Sequence, residues 1–306
     1  MSQTIHLIGC PVDSGKTRRG CLMGPDALRT AGLTEALCDL GLTVQDVGNL
    51  TLPNLSDITP TGPGFKRAEN IGWTRVIAHT SERAQQTGTP IFLGGDHSLS
   101  LGSVLGSARH AAHENRPLFV LWLDAHSDFH TPLTSDSGNL HGTPLGYLTG
   151  REGFEDFPRV ETPVPQDNIC IIGLRSVDAA ERAALQKSAI TYCDMRAIDE
   201  HGISRPLTAF LEKVRAANGL LHVSLDVDFI DPMFAPAVGT TVPGGATLRE
   251  AHLAMEIICD SNLLSALDLV ELNPFLDDRG ATAQVITDLA ASALGRRVFD
   301  RPTLHR

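Results

Sequence analysis

Seven short runs of apolar residues stand out along the chain, each of a length typical of a β-strand. They are TIHLIGCPV, PIFLGG, PLFVLWLDA, NICIIGL, AITYCDM, LLHVSLDVD and SALDLVELN. Amphipathic helical patterns occupy the segments between them. Near-continuous apolar strands that alternate with helices predict an α/β fold, in which helices cover both faces of a parallel sheet. Periodicity alone does not decide between an open sheet and a closed barrel.

Local signals agree with this pattern. Gly24 and Pro25 place a proline at the start of a predicted helix, and Thr247 with Glu250 forms a capping box before the helical run AHLAMEII. The Pro- and Gly-rich stretch over residues 51–65 is predicted to be a loop and not a domain linker, because the same α/β alternation resumes after it. We therefore expect a single domain over residues 1–306.

Composition narrows the class of protein. The chain has 306 residues, of which 42% are hydrophobic and 20% charged, and no apolar stretch approaches the roughly 18 residues of a membrane span. A formal charge of −11 argues against nucleic acid or an anionic membrane as a partner. Six cysteines without C-x-x-C spacing indicate reduced packing residues, and no secretory signal precedes the first strand pattern. We expect a cytoplasmic protein.

Acidic and imidazole side chains cluster where the predicted strands end. The run LFVLWLDAHSD and the run LLHVSLDVD both close on such groups, and the motif GGDHS adds one histidine. Alternate residues of a strand point to the same face, so these spacings can aim each set at one place. The pattern predicts a shared metal site. Its six candidate ligands are His97, Asp124, His126, Asp128, Asp226 and Asp228.

The charge of this set predicts how many metal ions it holds. Four crowded carboxylates need cations or protons in a low-dielectric pocket, and two divalent ions would balance them. A carboxylate-rich set without thiolate favours Mn²⁺ over a structural zinc. Two ions roughly 3.5–4 Å apart can share a water with a pKa of about 7, which makes metal-assisted hydrolysis the predicted reaction. Aspartates at strand ends also cap helices or start turns, but the chain offers no basic cluster nearby to pair with so many acids.

The ordered motifs GGDHS, DAHSD, SGNLHG, SLDVDFIDP and VELNP resemble the signature of the ureohydrolase family, and within it the arginases. The resemblance runs from LIGCPVDSGKTRRGCLMGPDALR to the last predicted helix. It implies an open three-layer α/β/α fold with a central, mainly parallel sheet of about eight strands. It also implies two Mn²⁺ ions per subunit on the same six ligands, and a homo-oligomer, either a trimer or a hexamer. The implied reaction is hydrolysis of L-arginine to L-ornithine and urea by a metal-bridging hydroxide.

The same resemblance implies three catalytic roles. Asp128 would orient the hydroxide, His141 would carry a proton to the leaving amine, and Glu271 would hold the guanidinium nitrogens. A guanidinium is planar and resists neutral water, so a carboxylate partner suits it chemically. From the residue pattern alone, His141 could equally be a solvated loop histidine and Glu271 a partner for a helix terminus.

Substrate contacts are implied in the same way. Ser137 and Asn139 would bind the α-carboxylate, Asp178 and Glu181 the α-amino group, and Thr240 would line the pocket beside the guanidinium. Turn chemistry and helix N-terminal acids would explain the first four residues without a substrate.

Two positions depart from the arginase pattern. His130 stands where many arginases have Asn, so an imidazole would make one carboxylate contact, and Ser176 stands where many have Asp. Agmatine, guanidinobutyrate or a related guanidine therefore remains an alternative substrate. A non-catalytic metal-binding relative that acts through a protein partner is a further alternative.

The segment GCPVDSGKT superficially resembles a phosphate-binding loop. Five residues separate Gly9 from Gly15, whereas a P-loop requires four between its glycines. We expect an active-site or packing loop here instead of a nucleotide site.

Overall fold

The computed structural model describes residues 4–300, in which eight β-strands form one sheet. The strands β1 to β8 are, in chain order, Thr4–Cys10, Thr43–Asn49, Thr89–Gly94, Leu118–Leu123, Ile169–Leu174, Thr191–Asp194, Leu220–Asp226 and Leu264–Val270. The ends of the predicted domain, residues 1–3 and 301–306, lie outside the described residues.

Every strand pairing in this sheet is parallel, and the strand order is β2-β1-β3-β8-β7-β4-β5-β6. The two outer strands are β2 and β6, so the sheet is open and is not a barrel. Strands β3, β8, β7 and β4 occupy its centre and are buried along most of their length. The expected α/β fold with a parallel sheet of about eight strands is confirmed.

Helices cover both faces of the sheet and produce the expected three layers. The helices α1 to α10 are Gly24–Thr30, Leu33–Cys38, Arg67–Ala84, Ser100–His113, Pro144–Leu148, Ala179–Leu185, Met195–His201, Ser204–Ala216, Leu248–Ser261 and Ala281–Ala293. Apolar residues of α1, α2, α8, α9 and α10 pack on one face, and those of α3, α4 and α5 pack on the other. None of the helices within residues 4–300 combines the length and the apolar character of a membrane span.

Most local signals in the sequence correspond to real element boundaries. Pro25 lies in the first turn of α1, and Thr247 and Glu250 form a reciprocal capping box at the start of α9. Residues 51–65 contain neither helix nor strand, as predicted. The sequence analysis missed β2, because this edge strand is largely exposed and its residues TVQDVGN form no apolar run.

A buried polar network joins α4 to the centre of the sheet. His222 Nε2 on β7 lies 3.1 Å from Asp268 Oδ1 on β8, and both side chains are fully buried. Ser100 and Ser103 of α4 donate hydrogen bonds to Asp268 Oδ2 at 2.6 and 2.7 Å, and Ser107 Oγ lies 2.8 Å from His222 Nδ1. Because α4 follows the His97 segment directly, this network also fixes the helix behind the predicted site.

Replacement of Asp268 tests the contribution of this network to stability. The change D268A would leave two serine hydroxyls buried without their acceptor and would remove the carboxylate beside the buried His222, so we expect a loss of about 3 kcal/mol or more in the free energy of unfolding. The change D268N keeps one acceptor oxygen for the serines, so it should lower the free energy of unfolding clearly less than D268A does. Urea denaturation of both variants measures the difference, and equal losses would contradict the assigned role.

Candidate active site

Four neighbouring strands end at one edge of the sheet, where the predicted ligands lie. Strands β3, β8, β7 and β4 are adjacent and parallel, so their carboxyl ends meet at that edge. Asp124 and Glu271 directly follow β4 and β8, Asp226 is the last residue of β7, and His97 begins a short 3-10 turn after β3. Residues that are far apart in the sequence are thus brought together by the strand order.

His97 lies at the centre of a first cluster of acids. Its Nδ1 atom is 3.2 Å from Asp124 Oδ2 and 3.0 Å from both Asp128 Oδ2 and Asp226 Oδ2. All four residues are buried, with exposures of 0 to 6%. Three carboxylates therefore converge on one imidazole nitrogen out of contact with bulk water.

Two neighbours fix the orientation of the His97 ring. Trp122 stacks on the ring with 4.3 Å between centroids, and Ser224 Oγ lies 2.8 Å from Nε2. With Nε2 engaged in this way, Nδ1 points to the acids. The sequence analysis named neither neighbour, although Ser224 is a hydroxyl within the apolar run LLHVSLDVD and could have served as a signal.

A second cluster adjoins the first and shares Asp124 with it. His126 Nδ1 lies 3.0 Å from Asp228 Oδ2 and 3.4 Å from Asp124 Oδ1. The two oxygens of the Asp124 carboxylate thus face different histidines, with Oδ2 toward His97 and Oδ1 toward His126. Each cluster offers at least three ligand atoms close enough together to hold a metal ion.

Burial and crowding shift the pKa values of these acids. Burial, helped by the charge of Asp124, raises the pKa of Asp128 to about 6, and burial together with neighbouring acids also raises the pKa values of Asp226 and Asp228. Burial would lower the pKa of His126, but Asp228 and Asp124 raise it to about 12. In the absence of metal, protons therefore offset part of the buried negative charge, and divalent cations could replace them.

The sequence analysis predicted that these side chains converge, but the cause it gave was wrong. Strand β4 ends at Leu123, so residues 124–128 do not alternate along a strand, and Asp128 has a left-handed backbone with φ of 45°. Asp228 lies in a short 3-10 turn, Val227–Phe229, beyond the end of β7. Tight turns after the strands aim these carboxylates inward, and a left-handed non-glycine residue there is strained backbone of the kind often found at active sites.

A cavity of about 300 Å³ opens beside the second cluster. His126, Asp128 and His141 line it. Six of the seven residues predicted to contact substrate also line it, namely His130, Ser137, Asn139, Asp178, Glu181 and Thr240. Ser176, the second departure from the arginase pattern, also lines the cavity.

The acids expected to bind an α-amino group sit close to His130. Asp178 Oδ1 caps helix α6 by accepting the backbone N–H groups of Ala180 and Glu181, while its Oδ2 lies 2.7 Å from His130 Nε2. Glu181 is buried, and its Oε2 lies 3.7 Å from the same nitrogen. Asp178 is therefore both a helix cap and a cavity residue, and His130 already faces both acids.

The loop SGNLHG contributes Ser137, Asn139, His141 and Gly142 to the cavity lining. Asn139 donates its backbone N–H to Ser137 Oγ at 3.2 Å, and Asn139 Oδ1 has no hydrogen-bond partner within the described residues. Thr240 donates to Asp228 Oδ2 at 3.2 Å, which joins the cavity wall to the second cluster. The loop thus presents short polar side chains to the cavity, as a carboxylate-binding loop requires.

Glu271, the seventh predicted contact, lies behind the cavity wall. Its side chain is 1% exposed, and Oε1 accepts the backbone N–H of His97 at 2.9 Å. His141 Nδ1 lies 3.2 Å from the same oxygen. The other oxygen, Oε2, forms a buried ion pair with Lys16. The predicted guanidinium partner is thus already paired with a cation of the chain itself.

Lys16 is a charged residue of this region to which the sequence analysis assigned no role. It lies in the loop GCPVDSGKT, which was expected to be an active-site or packing loop, and its side chain is 2% exposed. A lysine between small polar residues normally indicates a solvated loop, so residue type alone gave no signal of its burial.

Comparison with known proteins agrees with this geometry. Residues 3–295 match the sequence model of the arginase family. The chain is 54% identical over 300 residues to an arginase of Brucella melitensis, an alignment that covers 97% of this chain and 98% of that protein. It is also 53% identical to an arginase of Agrobacterium fabrum, with coverage of 98% and 94%.

Solved structures show the same fold. The crystal structure of an arginase from Bacillus subtilis superimposes with a TM-score of 0.86 at 35% identity, covering 97% of this chain and all of that one. The similarity therefore extends over the sheet, the helices and the loops that carry the clusters.

Thermal stability with added metal tests whether the two clusters bind cations. Mn²⁺ should raise the Tm of the wild-type protein, because a ligand that binds only the folded state stabilises it by mass action. The variant D124N removes charge from both clusters and should lose most of this increase. The variant D199N changes an exposed aspartate on α7 and should keep it. An equal increase in Tm for all three proteins would contradict metal binding at this site.

Proposed function

Because the chain belongs to the arginase family, we propose that it hydrolyses L-arginine to L-ornithine and urea with two Mn²⁺ ions held at the carboxyl ends of the central strands. It is an arginase-type amidinohydrolase, a hydrolase that acts on a guanidino group. The substrate, the identity and number of the metal ions, and the roles of individual residues are the parts that we add as proposals.

One observation carries the proposal of two ions. The Asp124 carboxylate lies between His97 and His126, with one oxygen toward each. A carboxylate placed in this way can contribute one oxygen to each of two cation sites. A protein that binds a single ion would need only one of the two histidine-centred clusters. Asp226 and Asp128 complete the first group, and Asp228 completes the second.

The donor atoms fit hard divalent cations. Four carboxylates, two imidazoles and no thiolate suit Mn²⁺. His97 Nδ1 and Asp128 Oδ2 are buried and make no hydrogen bond of acceptable geometry with described residues, as expected of atoms reserved for a metal. When bound, the two ions would supply a shared water with a pKa of about 7 and so a nucleophile at neutral pH.

Two residues of the chain would handle the proton and the orientation of the water. Asp128 lines the cavity, where its carboxylate can accept a hydrogen bond from the attacking water and direct it to the guanidinium carbon. The bond from that carbon to Nε of arginine then breaks, and the departing nitrogen needs a proton. His141 lies on the cavity wall with Nδ1 toward Glu271, so Nε2 is the nitrogen available to carry that proton.

The remaining cavity residues would recognise the amino-acid end of arginine. Ser137, Asn139 and His130 can donate hydrogen bonds to an α-carboxylate, and Asp178 and Glu181 can accept from an α-amino group. Thr240 would line the pocket, and Glu271 would bind the guanidinium. The contact of His130 with Asp178 already occupies one carboxylate oxygen at the amino end of the cavity, so a guanidino acid without an α-amino group, such as guanidinobutyrate, is the second candidate substrate.

Further features remain proposals that depend on the sequence and on the family resemblance. We propose that residues 1–306 form one domain, that the chain assembles as a homotrimer or homohexamer, and that it is cytoplasmic.

Urea release by the Mn²⁺-loaded protein tests the proposed reaction and substrate. Arginine should give the highest kcat/KM among arginine, agmatine and guanidinobutyrate. The variant N139A should lower kcat/KM for arginine by about 10- to 100-fold, the effect of one hydrogen bond to a charged group. Agmatine lacks the α-carboxylate, so kcat/KM for agmatine in the N139A variant should stay within about twofold of the wild-type value.

The pair of substrates is an internal control for damage to the active site. If N139A lowers kcat/KM equally for arginine and agmatine, Asn139 does not read the carboxylate. If the metal-loaded wild-type protein cleaves agmatine or guanidinobutyrate better than arginine, the assigned substrate is wrong. If it holds two ions and cleaves none of the three, a non-catalytic relative is the better description.

A further inference from the structure

Lys16 is a buried cation that occupies the carboxylate proposed to bind the substrate. Its ammonium forms an ion pair with Glu271 Oε2, and both side chains are almost fully buried. The loop that carries Lys16 is held firmly in place. Gly15 donates its N–H to Asp96 Oδ2 at 2.7 Å, and its carbonyl accepts the N–H of His141 at 3.1 Å.

Both oxygens of Glu271 are therefore engaged before a substrate arrives. Oε1 accepts from the His97 backbone and faces His141, and Oε2 faces Lys16. A guanidinium binds a carboxylate most strongly through two parallel hydrogen bonds, which need both oxygens. While Lys16 stays in place, Glu271 can offer a guanidinium at most one crowded oxygen.

Lys16 stays charged in this position. Burial alone would lower the pKa of Lys16, but the attraction of Glu271 outweighs burial and raises it. An ammonium beside Glu271 both neutralises the carboxylate and repels a second cation. The geometry of the ion pair, and not a change of protonation, creates the conflict with a cationic substrate.

A second buried carboxylate, that of Asp96, lies in the neighbourhood of Lys16. Asp96 is fully buried, and its charge also acts on the Lys16 ammonium. Asp96 also accepts hydrogen bonds from Gly15 and Ser98, so it belongs to the same buried polar region as the Lys16–Glu271 pair. A Lys16 ammonium released from Glu271 Oε2 would therefore still have a carboxylate in its neighbourhood.

We propose that Lys16 competes with the substrate guanidinium for Glu271, so that binding requires the Lys16 ammonium to release Glu271 Oε2. Lys16 is then a specificity-determining residue that weakens the binding of guanidines. This inference rests on the proposed function for the assignment of Glu271 as the guanidinium partner.

Neutral replacements of Lys16 test the competition. In the Mn²⁺-loaded enzyme, K16Q and K16M should each lower KM for arginine by about tenfold. This factor is at the lower end of the effect expected for one hydrogen bond to a charged group. The inhibition constant of guanidinium chloride, a cation without the amino-acid end, should fall by a similar factor. R18Q removes an exposed cation from the same loop and is the control variant. Its KM for arginine and its inhibition constant for guanidinium chloride should stay within about twofold of the wild-type values.

A purely structural role for Lys16 predicts a different result. Loss of a structural ion pair would lower kcat or raise KM, and an unchanged or higher KM and inhibition constant in folded K16Q and K16M would overturn the proposal. Circular dichroism and Tm establish that the variants are folded. If the wild-type enzyme releases no urea from arginine, the proposed function fails separately, while direct calorimetric binding of guanidinium chloride still reports on Lys16.

A crystal structure of the wild-type holoenzyme soaked with guanidinium chloride needs no variant. We expect the guanidinium on Glu271 and the Lys16 ammonium displaced from Oε2. A guanidinium bound in the cavity with the Lys16–Glu271 pair intact would contradict the proposal.

Discussion

The concentration of buried negative charge at the ends of four central strands is the constraint on which the rest of the site depends. Four aspartates are almost inaccessible to water, namely Asp124, Asp128, Asp226 and Asp228. The imidazoles of His97 and His126 lie among them. Such a group is stable only if cations or protons offset its charge. The parallel sheet creates this concentration because it collects strand ends from distant parts of the chain at one edge.

The structure around these ligands restricts how they can move. Trp122 and Ser224 hold the His97 ring, and the buried network of Asp268 and His222 attaches α4 to the sheet just behind it. These contacts keep the ligand atoms in place in the absence of an ion, which lowers the entropy lost when an ion binds. The cavity wall is joined to the same framework through the hydrogen bond of Thr240 to Asp228.

The sequence predicted the architecture and the six side chains that lie together at the strand ends, since apolar strands and runs of acidic residues are visible in the order of residues. It did not predict β2, whose polar exposed residues leave no apolar pattern, nor the turns that aim Asp128 and Asp228. It did not predict that Lys16 is buried, because the burial of one loop lysine depends on a long-range contact with Glu271. Tertiary pairing across some 250 residues has no local signal, so only the structure revealed that the predicted guanidinium partner is already engaged.

The most direct test of this account is the location and number of Mn²⁺ ions in crystals of the loaded protein, measured by anomalous diffraction. The account predicts two ions per chain on either side of the Asp124 carboxylate, one next to His97 and the other next to His126. A single ion at saturating Mn²⁺, or ions bound away from Asp124, would contradict it.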